Sequence, residues 1–283
     1  MRYVRLLAAL VCVAGAGCFL SNRPDVPTIV RSLTPPLPVE GLVVESVLIE
    51  QPLGDAFLDR ELWASLLPVG VAESRALLDE NGLRLGIVAG SGPQKFQTLL
   101  NSETDTVSPQ RFTFHMRKET VVPTAGPIDP CKFVIRGDLA GKPETVELQQ
   151  ARCGILVRPQ LASDGRVKLR VEPRIQHGDR QQWFRPNEDA TQLAKYDEVP
   201  TEKYPVLGCE VLLNPDDYLV MGWDTTATNS IGSVLFTAEV DGRPRQRILV
   251  VRARPASPAA SDLPPLWSTR QRPAIAAQAA GKK

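Results

Sequence analysis

The sequence has little that an enzyme or a nucleic-acid binder needs. It holds two histidines, His115 and His177, and no H-x-x-x-H or C-x-x-C spacing, so no zinc site of the usual spacing can be read. Lys and Arg number 33 against 32 Asp and Glu. Two of the positive residues, Arg2 and Arg5, belong to the apparent export signal, which leaves the rest near neutrality. A role driven by nucleic-acid charge normally requires a clear basic excess or stripe, and the composition shows no such excess. After Cys18 there is no second long apolar run, so no helix of membrane-spanning length is expected beyond it.

Fragments of catalytic motifs occur and fail. Gly90 and Gly92 supply two glycines of G-x-G-x-x-G, but Lys95 stands at the last position. The same triplet, Gly90-Ser91-Gly92, would need glycine at Ala89 and Pro93 to form a G-x-S-x-G nucleophile turn. Gly137 to Lys142 (GDLAGK) is one residue short of a P-loop and lacks the hydroxyl residue after its lysine. The acidic neighbours Glu188-Asp189, Asp197-Glu198 and Asp216-Asp217 lie in polar text, whereas acid–base carboxylates must converge in a pocket. His115 lies in an alternating strand and reads as structural or surface-exposed. No catalytic residue, metal ligand, cofactor or nucleic-acid partner is predicted.

What is present begins with an address. Two arginines precede an apolar stretch from Leu6 to Ala16, the layout of a secretory signal. Gly15-Ala16-Gly17-Cys18 is similar to a lipobox, which predicts lipid attachment at Cys18 and an exported, membrane-anchored protein of the periplasm or outer membrane. Ala14-Gly15-Ala16 offers the competing reading of an ordinary A-x-A cleavage site. Three cysteines remain: Cys131, Cys153 and Cys209. Outside the cytoplasm Cys131 and Cys153 could be bridged; the alternative is that all three are small buried residues.

The chain divides into a signal (1–18), a Pro-rich tether (19–40), an α+β module (41–106), a β-rich domain (107–255) and a disordered tail (256–283). In the module, Leu42–Glu50 (LVVESVLIE) and Leu83–Val88 read as strands. Asp59–Leu67, Val71–Glu80 and Pro93–Leu100 read as helices, with Asn81-Gly82 as a stop signal. This gives a β-α-β-α order. From Val107 onward the helical period disappears. Arg111–Arg117, Lys132–Ile135, Glu144–Leu148, Gly154–Leu161 and Arg166–Pro173 read as strands. So do Gly208–Leu213, Tyr218–Trp223, Ser233–Val240 and Arg247–Ala253, all separated by turn residues. The expected class is α+β with a mainly antiparallel C-terminal domain.

Four stretches between Cys153 and Pro255 together resemble the β-domain of secretins, the ring-forming proteins of bacterial secretion systems. They are Arg166–Gly178 (RVKLRVEPRIQHG), Leu212–Trp223 (LLNPDDYLVMGW), Ile231–Phe236 (IGSVLF) and Arg247–Pro255 (RILVVRARP), in matching order and approximate spacing. The pattern also departs. The glycine pair of the apolar strand is reduced to Gly222, and polar text fills Gln176 to Val206, where a pore protein would place membrane hairpins. The resemblance therefore implies a secretin-like β-domain kept as a soluble fold. It points to a non-catalytic envelope interaction or scaffold protein, with envelope proteins or further copies of itself as partners, not itself a pore. The alternative is a binding module for cell-wall glycan or another surface polymer. Exposed aromatics on one sheet face, Trp183 and Phe184 or Tyr218 and Trp223, would favour that alternative.

Overall fold

Strand β1 (Gly41–Pro52) explains the architecture, because nine consecutive residues of it are buried. Side chains alternate across a strand, so a run buried throughout must be covered on both faces. Val47 and Ile49 face one layer, whereas Leu42, Val44 and Leu48 face the other. The computed structural model describes residues 41–115, 119–186 and 192–256, all within one compact unit, Glu40–Lys283.

β1 is an inner strand of a seven-stranded antiparallel sheet. Its path runs β2 (Leu67–Pro68), β3 (Leu83–Val88), β14 (Tyr218–Trp223), β16 (Arg243–Pro255), β1 and β4 (Thr106–His115), with β15 (Thr237–Val240) also on β16. Eleven consecutive residue pairs, Leu42↔Pro255 to Pro52↔Arg245, join β1 to the last strand. β14 pairs with β3 in the same way. The boundary expected near residue 106 therefore falls inside one sheet. The two halves of the sequence share it because β1 and β3 complete their hydrogen bonding only on C-terminal strands.

One face of this sheet is covered by helical segments. They are a π-helical turn (Phe57–Glu61) leading into a short α-helical turn (Leu62–Ala64), and α2 (Gln94–Leu100), which follows α1 (Ala72–Glu80) along the chain. Phe57, Leu58, Leu62, Phe96, Leu99 and Leu100 pack there on Val47, Ile49, Val220 and Val250. Asp55 starts the first turn, its Oδ1 accepting from the N–H of Phe57 and of Leu58, each at 3.0 Å. α1 and β3 fall where the sequence places them, and Gly82 takes φ +68° just beyond the helix, as a left-handed C-terminal stop requires.

The other face packs on a five-stranded antiparallel sheet. It runs β12 (Thr201–Lys203), β9 (Val167–Gln176), β8 (Ala151–Leu161) and β5 (Thr120–Ile128), with β13 (Cys209–Leu213) also on β9. Leu48, Leu219, Leu249 and Val251 form one core with Ile155, Val157, Leu169 and Val211. Fully burying each such side chain contributes about 1.5–3 kcal/mol. Two small hairpins complete the unit: β6 (Cys131–Ile135) with β7 (Glu144–Leu148), and β10 (Gln181–Pro186) with β11 (Leu193–Glu198). The fold is α+β and dominated by antiparallel sheet.

Some element assignments differ from expectation. Ser233–Val240 was expected to be a strand throughout. Instead Ile231–Phe236 is helical (α3), and β15 begins only at Thr237. Ser230 caps this helix, its Oγ accepting from the Ser233 N–H at 3.2 Å, and Ile231, Leu235 and Phe236 bury a helical stripe. β5, β10, β11 and β12 were not expected as strands. Pro123 and Pro127 interrupt the apolar pattern of β5, and polar residues fill the other three.

Candidate functional site: the β10–β11 arm and its groove

β9 carries the alternation that sets up the site. Val167, Leu169 and Val171 point into the core at 0–1% exposure. Lys168 and Arg170 point outward, and both pair with Glu210 of β13. Farther along the same outer face the pattern changes. Glu172 and Arg174 form an ion pair at 3.1 Å with side chains only 5% and 12% exposed. An open groove of about 450 Å³ lies at this end. Val121, Leu156 and Arg174 of the five-stranded sheet line it, together with Trp183 and Glu198 of the arm and Lys203 of β12. Nearby, His177 Nε2 stands 3.4 Å from Glu202 Oε1.

The arm is a two-stranded sheet with no ladder to either large sheet. Trp183 lies directly opposite Tyr196, so these rings share one face. Phe184 and Leu193 occupy the other face. Exposure reaches 46% for Trp183, 63% for Phe184, 68% for Leu193 and 38% for Tyr196. An isolated two-stranded hairpin is marginal in water, and clustered exposed apolar side chains mark an interaction surface. The other aromatic pair singled out in the sequence is committed to packing. Tyr218 meets Phe96 edge-on at 5.7 Å, and Trp223 Nε1 donates to the Ala227 carbonyl at 3.0 Å.

The sequence reading singled out Trp183 and Phe184 but missed the strands that carry them, and it set the two on one face, whereas as neighbours in a strand they lie on opposite faces. The text of the arm's strands, QQWFRP and LAKYDE, is polar enough to read as loop.

Other candidate residues are placed as follows. Cys18 lies outside the described residues. Cys131 and Cys153 are buried together as free thiols in hydrogen-bond contact. That contact lowers the pKa of Cys131, whereas the same contact and burial raise that of Cys153. Cys209 is also free, its pKa raised by burial. His115 ends β4 opposite Gly41. Among the described residues, no group of three His, Cys, Asp or Glu side chains could hold a metal ion. Asp217 is a turn anchor, accepting from Gly90 N at 3.2 Å and Asn214 Nδ2 at 2.7 Å. The glycine turn before α2 is thus tied to the turn before β14. Glu188 and Asp189 lie outside the described residues.

No family model matches the sequence, and no curated protein matches it. Solved structures of secretins share a weak likeness of fold. The type II secretin GspD of enteropathogenic Escherichia coli is 12% identical at a TM-score of 0.24, over 81% of this chain and 72% of that one. The pilotin–secretin complex AspS–GspD of ETEC gives 12% and 0.23, over 85% of this chain and 55% of that one. The InvG secretin-domain β-barrel of the Salmonella SPI-1 injectisome gives 10% and 0.19, over 78% and 64%. At such scores nothing about partners or activity follows from the likeness.

Proposed function

We propose that this chain is a non-catalytic interaction protein of the bacterial envelope, exported and lipid-anchored at Cys18, which engages another protein chain through the β10–β11 arm. The observation that carries this reading is the arm itself. Phe184 and Leu193, both more than 60% exposed, share a face directed away from the Trp183–Tyr196 side. Aromatic side chains that stay exposed on a small projecting hairpin are suited to act as interface anchors. The reading is of an adaptor and not a pore. The two strands of the arm have six residues each, short of the roughly 9–11 that cross a bilayer.

A second reading rests on the groove beneath the arm. There Trp183 stands beside Glu198, Gln176, Thr201 and Lys203, a mixture of ring face and polar groups that suits a sugar polymer.

The test is the native mass of the detergent-purified chain, alone and after crosslinking in envelopes, for wild type and for a Phe184→Asp, Leu193→Asp double variant. The expected result is a wild-type assembly or crosslinked product that the variant loses, with unchanged thermal midpoints. A monomer without crosslinked partners, whose tryptophan fluorescence responds to cell-wall glycan, would replace the first reading by the second. For the anchor, Cys18→Ser should remain exported but leave the membrane fraction; retention after a high-salt wash would refute lipidation.

A further inference from the structure

The helix-covered face of the seven-stranded sheet holds a second group of polar side chains, at the end where β1 begins and β16 finishes. Glu45 lies directly between Arg111 of β4 and Arg252 of β16 in register. Arg254, opposite Val43, sits one step away on the same face. Arg252 holds one oxygen of Glu45 with Nε at 3.0 Å and Nη2 at 2.6 Å. Its own guanidinium lies over the Tyr218 ring at 5.9 Å. The other oxygen, Oε1, has Arg254 Nη2 at 3.6 Å and Arg111 Nε at 3.7 Å, and accepts no hydrogen bond among the described residues.

Arg254 is the residue this arrangement leaves unexplained. Its side chain is 7% exposed, yet Nε and Nη2 have no hydrogen-bond partner among the described residues. Burial lowers its pKa from the usual arginine value; Glu45 opposes this, and Arg252 and Arg111 reinforce it. A buried guanidinium with unfilled donors is costly, because its lost hydration is not replaced. Among the described residues, three guanidiniums surround the Glu45 carboxylate, and even with Asp216 as a second acidic neighbour the positive charges are in excess.

We propose that Arg254 and Arg111 form an oxyanion-binding site beside Glu45, and that its ligand is of the phosphate class. A tetrahedral oxyanion presents several acceptors at once, and guanidinium forks bind such groups through paired N–H donors. A phosphate dianion would offset the excess charge of the cluster more fully than a monocarboxylate. Access is from the sheet edge, because Arg111 lies on the outermost strand and its side chain is 34% exposed. The phosphate can come from a soluble ligand or from a phospholipid headgroup. The second source follows if the proposed lipid anchor at Cys18 holds the chain at a membrane.

The experiment titrates the purified full-length chain at low ionic strength with inorganic phosphate by calorimetry. In parallel it compares binding to phosphatidylglycerol and phosphatidylcholine vesicles. Wild type should show saturable phosphate binding beyond matched chloride, or excess binding to phosphatidylglycerol. Arg111→Met should weaken that binding by about tenfold, the loss expected for one charge-assisted contact. Arg254→Met should abolish it while melting no lower than wild type without ligand, because it removes an unfilled buried charge. If Arg254→Met does not fold, Arg111→Met alone decides, as its side chain is partly solvated. Binding of free phosphate identifies a soluble ligand; a response only to phosphatidylglycerol that Arg111→Met removes identifies a headgroup. If neither probe binds wild type more tightly than Arg111→Met, the proposal is overturned.

Discussion

Asn81 offers the sharpest test of how this unit is held together. It closes α1 and is wholly buried. Its Nδ2 donates to the Leu77 carbonyl at 2.8 Å and to the Arg136 carbonyl at 2.9 Å, and its Oδ1 accepts from Arg136 N at 2.8 Å. Two neighbouring backbone bonds complete the junction: Gly232 N to Asn81 O at 3.0 Å and Asp224 N to Gly82 O at 2.9 Å. One amide thus joins α1 to the end of β6, beside α3 and the exit of β14. A Cβ at Gly232 would stand 2.0 Å from the Gly82 carbonyl oxygen, so the approach there depends on glycine. Asn81→Ala deletes three hydrogen bonds of about 1 kcal/mol each and leaves backbone groups of residues 77 and 136 without them. The expected loss is about 3 kcal/mol, or roughly 6–12 °C in midpoint for a unit of this size. Asn81→Asp keeps the acceptor for Arg136 N but turns a carboxylate toward two carbonyls. It should be at least as damaging at pH 7 and should partly recover on acidification. Urea unfolding followed by circular dichroism measures both variants. A loss below about 1 kcal/mol for Asn81→Ala, or an unperturbed Asn81→Asp, would refute the view that this amide ties the helix to the β6–β7 hairpin.

Two further outcomes follow from burial. Leu169→Asp places a carboxylate at a site of 0% exposure and should cost more than about 4 kcal/mol, enough to prevent folding, whereas Lys168→Asp only exchanges an outward pair with Glu210 for a like-charge contact and should cost about 1 kcal/mol or less; equal melts would refute a one-sided strand. Asp79 has its pKa raised by burial and then by Asp224, so the folded state binds its proton more tightly than the unfolded chain. That contribution favours the fold at low pH and is lost as pH rises through the folded value. Asp79→Asn should therefore raise the midpoint at pH 7, with a gain that fades as pH falls toward an ordinary carboxyl value; a gain independent of pH would exclude this origin.

The local periods were legible because they depend only on near neighbours. The largely apolar run of β1, the helix stop at Asn81-Gly82, the alternation of Val167, Leu169 and Val171, and β3, β7 and β14 to the residue all lie where the sequence places them. The pattern reading of Ser233–Val240 as a strand held only from Thr237, because over Ser233–Phe236 a strand-like composition is overridden by the Ser230 cap and a buried helical stripe. Only the tertiary structure decided the rest. No local signal says that β1 completes its ladder with a strand some 200 residues later, and this pairing is what merges the two expected domains. Nor could the sequence show that Glu45, Arg111, Arg252 and Arg254 share one face, or that Cys131 and Cys153 meet, since both depend on register between distant strands. The arm was hidden for the opposite reason. Its strands bury little, so the apolar alternation that betrays a half-buried strand is faint there, and the same exposure that conceals β10 and β11 in the sequence leaves Phe184 and Leu193 free to meet a partner.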